Sequence, residues 1–130
     1  MPSDLMARVR IHLEFLGYTI SPLEGGPDIE VMHPGGFTFS LSATEDVVRF
    51  ISYFATTKVE HPGCLKFINS LNLDARMVSF CKDAHNTLVC QGFFYGAYTT
   101  TKFSSFLNAW DHDMFKTLRH RADEFLTYIE

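Results

Sequence analysis

The chain has 130 residues, 46% of them hydrophobic and 20% charged, a balance that excludes a disordered segment and a length that admits one ordinary domain, residues 1–130. A formal net charge of −4 gives no electrostatic reason to expect nucleic acid or an anionic membrane as the main partner. Three widely spaced cysteines, Cys64, Cys81 and Cys90, match neither a secreted disulfide framework nor a paired zinc motif, and no run approaches the ~20 apolar residues of a membrane span.

Along the chain, Leu5, Met6, Val9, Leu13 and Leu16 recur at helical spacing from Ser3 onward, and Gly17 stands where a helix stop belongs. Four β-like runs follow: Tyr18 to Leu23, Ile29 to His33, Phe37 to Leu41 and Val47 to Ala55. The turns between them, Gly25-Gly26-Pro27, Pro34-Gly35-Gly36 and Ala43-Thr44-Glu45-Asp46, are too short for parallel crossovers, so an antiparallel meander is expected. Pro62 suits the first turn of a second helix, with Cys64, Leu65, Phe67, Ile68 and Leu71 as apolar positions and an end near Leu73. Strands Met77 to Lys82 and Leu88 to Tyr98 then fold about His85-Asn86; a two-residue turn there would set Cys81 directly opposite Cys90. Finally Phe103, Phe106, Leu107, Trp110, Met114, Leu118, Ala122, Phe125 and Ile129 trace one face of a long helix, with Thr100 or Thr101 as its cap.

Little in this pattern carries chemistry. Asp111, His112 and Asp113 are consecutive, so on a helix they diverge, and a solvated face explains them better than a metal site. His33, His61, His85 and His120 lack zinc spacings, and Gly25-Gly26 and Gly35-Gly36 lack the trailing residues of a phosphate loop. Cys81 or Cys90 beside His85 is the nearest approach to a nucleophile and base, against the simpler reading of strand cysteines packed as small hydrophobes. Gln91 to Tyr98 echoes an RNA-stacking aromatic strand, but Gln91 replaces the basic residue and the chain closes on a helix. Phe93 and Tyr95 on one face of that strand and Phe94 and Tyr98 on the other suit a sheet packed on both sides. The 13 phenylalanines exceed the obvious needs of one core, which leaves a groove or subunit interface as open as a Phe-rich interior. Arg8, Arg10 and His12, like Lys116, Arg119, His120 and Arg121, are scattered around their helices and keep the faces soluble.

Helix, strand meander, short helix, hairpin and long C-terminal helix, in that order, resemble the YbjN family, bacterial proteins assigned to the regulation of sensory transduction that share the fold of type III secretion chaperones. The resemblance rests on Asn69, Leu71 and Asn72 in the short helix, Arg76 beyond it, and the strand, turn and strand from Met77 to Gln91; Phe15-Leu16-Gly17-Tyr18 resembles the family's passage from first helix to first strand. Two stretches depart from the pattern: Asp83-Ala84-His85-Asn86 stands where an acidic turn with Gly is usual, and Lys58 to Gly63 is rich in His and Pro. The resemblance implies a non-enzymatic, homodimeric protein that binds other polypeptides, and it supplies no catalytic residue.

The expectation is therefore an α+β domain, an antiparallel sheet packed with helices in the manner of type III secretion chaperones, acting in the cytoplasm as a chaperone-like or regulatory protein-binding module. No cofactor, metal, membrane or nucleic acid is expected to be required. Phe67, Leu71, Phe93 and Tyr95 are the contact residues chosen from the sequence. The alternatives are a small enzyme drawing on His85, Cys81 and Cys90 and, less favoured, an RNA-binding protein using the strand Phe93 to Tyr98.

Overall fold

The computed structural model describes residues 4–23, 28–33, 38–44, 47–55, 62–83 and 87–117. In chain order these form α1 (Asp4–Phe15), β1 (Thr19–Pro22), β2 (Ile29–Met32), β3 (Thr38–Thr44), β4 (Val47–Ala55), α2 (Pro62–Asp74), β5 (Ser79–Lys82), β6 (Thr87–Tyr95) and α3 (Thr100–Asp111), which continues as a π-helical turn, His112–Thr117. Each expected element is present as the expected type. The sheet is six-stranded in the order β1-β2-β3-β4-β6-β5, with the first four strands in the expected antiparallel meander.

Local chemistry decides where the elements end. At the end of α1 the Tyr18 N–H donates to the Leu13 carbonyl at 3.0 Å and the Gly17 N–H to that of Glu14 at 3.1 Å, the two bonds of a Schellman closure. Gly17 makes it possible, since its φ of 95° lies where a side chain would clash. β6 stops at Tyr95, short of the expected Tyr98, because Gly96 turns the chain with φ 93°. The cap of α3 is Thr99, not Thr100 or Thr101: its Oγ1 accepts the Lys102 N–H at 3.1 Å and its carbonyl the Phe103 N–H at 3.0 Å. The expected continuation of this helix through Leu118, Ala122, Phe125 and Ile129 lies outside the described residues.

Two compact units divide the chain, Met1–Ser52 with Phe93–Phe106, and Tyr53–Gly92 with Leu107–Glu130. In the first, alternation along the strands sends Ile29 and Val31 of β2, Phe39 and Leu41 of β3, and Val48 and Phe50 of β4 inward. Leu5, Val9 and Leu13 of α1 and Phe103 of α3 are buried in the same unit. Aromatic rings dominate its interior: Phe39 stacks on Phe50 at 5.3 Å between centroids, Phe50 meets Phe106 edge-on at 4.9 Å, and Phe94 meets Phe103 edge-on at 5.2 Å. Much of the phenylalanine surplus is therefore core.

In the second unit, α2 lies against β5 and buries Phe67, Ile68 and Leu71, one helical face at spacings of one, three and four. Val78 just before β5, Phe80 of β5, Leu88 and Cys90 of β6, and Leu107, Trp110 and Met114 from the last helical segment belong to its buried set. Gly92 leaves room for Met77 and Trp110, since a Cβ there would stand 2.9 Å from the Met77 sulfur and 3.4 Å from the Trp110 ring.

Candidate functional site: a groove along α1 and a closed sheet edge

α1 carries more apolar surface than its core face uses. Beside the buried row of Leu5, Val9 and Leu13 runs a second row in which Ile11 and Phe15, four residues apart, are 67% and 86% exposed. With Leu16 they form one wall of a groove of about 570 Å³, within the range of ordinary ligand sites. Arg8 stands on the same wall, one turn before His12. Tyr98, Thr100 and Ser104, at the entry to α3, form the other. The His12 Nδ1 and Tyr98 hydroxyl lie 2.7 Å apart, and the His12 ring meets Phe103 edge-on at 4.9 Å, so the groove's central polar pair is held against the core. Arg10 points elsewhere and pairs with Glu14 at 3.6 Å.

Of the four contact residues chosen from the sequence, Phe93 and Tyr95 are 45% and 64% exposed on the outer face of β6, where packing on both sides had been expected. Phe94, between them, is buried as anticipated. Phe67 and Leu71 are buried in the second unit, because both belong to the inner face of α2. The four residues therefore do not make one surface. Ile11, Phe15 and Leu16 were not selected from the sequence; the signal was present in the i, i+4 pair Ile11 and Phe15, off the phase of the core row.

Polar groups of the second unit are arranged to the opposite effect. Asp113, expected on a solvated face, is fully buried. It lies three residues after Trp110, on the flank of the same inward stripe. Its Oδ1 accepts the Arg76 N–H at 2.9 Å, and its Oδ2 accepts those of Met77 at 2.8 Å and Val78 at 2.7 Å. His112 Nδ1 is 3.1 Å from Oδ1. These bonds take the backbone that would have begun β5 at Met77, and the strand starts at Ser79 instead. Asn72 treats Phe80 as a neighbouring strand would: its Oδ1 accepts the Phe80 N–H and its Nδ2 donates to the Phe80 carbonyl, both at 2.7 Å.

The bonds to Phe80 and Val78 fall on the outer edge of the sheet. The Asp83 N–H donates to Thr87 at 3.0 Å, so alternation makes Cys81 with Val89 and Ser79 with Gln91 the hydrogen-bonded pairs and turns the backbone groups of Phe80 and Val78 outward. Asn72 occupies both outward groups of Phe80, and Asp113 accepts the outward N–H of Val78. β1, the other edge strand, is also a poor template: Pro22 has no N–H, and the Leu23 to Asp28 bond fixes a phase that leaves Ile20 with the one outward N–H along that strand.

The hairpin register separates the two strand cysteines. Residues 84–86, which include His85 and lie outside the described residues, number three rather than two between Asp83 and Thr87, so Cys81 faces Val89, and Cys90 faces Phe80. Cys81 is exposed and Cys90 buried on the opposite face, both as free thiols. Burial, with Cys81 as the lesser cause, pushes the Cys90 thiol well above its ordinary value, the reverse of nucleophile activation. Among the described residues no group of three or more His, Cys, Asp or Glu side chains could hold a metal ion, and no helix is long and apolar enough to cross a membrane. His33 packs edge-on against Tyr18 at 4.9 Å; His61 and His120 lie outside the described residues.

Compared with known proteins, the sequence matches no family model and no curated protein. The fold does find a match: the crystal structure of YbjN from E. coli, a proposed transcription regulator, superposes with a TM-score of 0.73 over 96% of this chain and 95% of that one, at 14% identity. The chain has the YbjN fold. In this YbjN-like frame Asn72 and Arg76, two residues on which the resemblance rests, have physical roles: the Asn72 side chain closes the edge of β5, and the Arg76 backbone is one of three amides held by Asp113.

Proposed function

We propose that this chain is a non-enzymatic protein-binding module of chaperone-like or regulatory kind, and that the groove along α1 receives an apolar segment of another polypeptide. The observation that carries the reading is the exposed row of Ile11, Phe15 and Leu16 beside a concave wall, since apolar surface gathered in this way marks an interaction site. Strand addition is disfavoured at Phe80 and Val78, because both outward groups of Phe80 and the outward N–H of Val78 are already bonded within the chain. YbjN is a proposed transcription regulator, and a regulatory role here would act through protein contact, given a net charge of −4. Homodimerisation and a cytoplasmic location belong to the same proposal, with Phe93 and Tyr95 as the surface for a second copy.

The test is recovery of the tagged chain from its native host at moderate salt, as wild type, as Phe15→Ser and as the pair Phe93→Ser and Tyr95→Ser. A stoichiometric protein held by the wild type and lost with Phe15→Ser supports the reading. Nuclease-sensitive RNA lost with the Phe93 and Tyr95 pair overturns it in favour of base stacking on β6. Light scattering of the purified proteins separates the two surfaces: the dimer is expected to persist in Phe15→Ser and to fall to monomer in the pair.

A further inference from the structure

The chemistry of the groove's walls narrows its occupant, given the reading that the groove along α1 is a binding surface. Ile11 and Phe15 stand mostly in solvent, so the groove has walls and no roof. A free amphiphile lying there would leave much of its tail in water. An amphipathic helix instead brings its own polar back to face the solvent while its apolar row meets Ile11 and Phe15. Among the described residues that line the groove, Arg8 is the one Lys or Arg, and there is no carboxylate. Thr100 and Ser104 offer hydroxyls, which donate and accept alike and do not select a sign of charge. We infer that the groove is specific for an amphipathic polypeptide helix that carries a carboxylate beside its apolar row, placed to meet the Arg8 guanidinium. The chain as a whole is negative, so its net field does not draw in an acidic segment, and the preference comes from Arg8 itself.

The experiment uses the full chain and two labelled helical peptides about four turns long, with Leu at i, i+4, i+7 and i+11 and either Glu or Lys flanking that row. Binding is read by fluorescence anisotropy against wild type, Arg8→Glu and Phe15→Ser. The expected result is a preference of about two- to fivefold for the Glu peptide, reversed in Arg8→Glu, with both peptides lost in Phe15→Ser. Equal binding of the two peptides to wild type and Arg8→Glu, still lost in Phe15→Ser, overturns the acidic-helix inference and leaves the groove reading standing. Binding that ignores Phe15→Ser, or no binding of either peptide, overturns the groove reading and the inference with it. Saturable binding of laurate that depends on Arg8 and Phe15, without peptide binding, shows an amphiphile site and overturns the polypeptide occupant.

Discussion

The groove along α1 and the outer edge of β5 are opposite solutions to the problem of surface. On α1 the backbone is closed at its C-terminal end by the Schellman bonds at Gly17 and Tyr18, and what stays exposed beside it is apolar: Ile11, Phe15 and Leu16 face water. At β5 the side chains are placed and outward backbone would be left over, yet a side-chain amide takes up both groups of Phe80 and a buried carboxylate the N–H of Val78. Partner binding through main-chain pairing needs unpaired N–H and C=O groups, whereas binding by burial needs exposed apolar area. The molecule closes the first route at Val78 and Phe80 and keeps the second open.

Breaking the closed edge should give the largest effect. Asp113→Ala removes the acceptor of three backbone N–H bonds and is expected to cost about 3–5 kcal/mol, read as a lower urea midpoint. Asp113→Asn, which keeps one acceptor oxygen, should cost roughly half as much; equal losses in the two variants would show that the charge, not the bonding pattern, holds the edge. Leu71→Ala is expected to cost about 2–4 kcal/mol because Leu71 is wholly buried, and a change below ~1 kcal/mol would return it to the contact surface. Asn72→Ala should cost about 1–2 kcal/mol and speed hydrogen exchange at the Phe80 amide. With the edge open, the share of higher oligomers should rise with concentration; unchanged exchange and unchanged assembly would together remove Asn72 as the edge cover. Smallest of all, Phe15→Ser should move stability by no more than about 0.5 kcal/mol while abolishing partner capture, because its side chain contributes to binding and not to the core. A large loss of stability in Phe15→Ser would turn the groove into a structural feature.

Both regions left traces in the sequence, of unequal clarity. Ile11 and Phe15 form a row of their own at helical spacing, legible once the core row of Leu5, Val9 and Leu13 is subtracted. Asp113 follows Trp110 by three residues and so shares its face, but a carboxylate between a histidine and a methionine reads as solvent-facing until three N–H groups are brought to it from the end of α2. Asn72 was singled out by resemblance, and nothing within its own helix told that it would serve as a neighbour for Phe80. Phe67 and Leu71 show the converse: their periodicity marked one face of α2, and only packing decided that this face turns inward.

Period, turn chemistry and composition by themselves determined the order of helices and strands, the antiparallel meander and the stop at Gly17, because each follows from interactions within a few residues of the chain. Tertiary structure decided the hairpin register that separates Cys81 from Cys90, the burial of Asp113, the closure of β5 by Asn72 and the meeting of α1 with Tyr98 and Ser104 around the groove. Those outcomes depend on contacts between residues far apart in sequence, whose partners no local pattern names, and a change of one residue in a turn suffices to exchange which face a side chain presents.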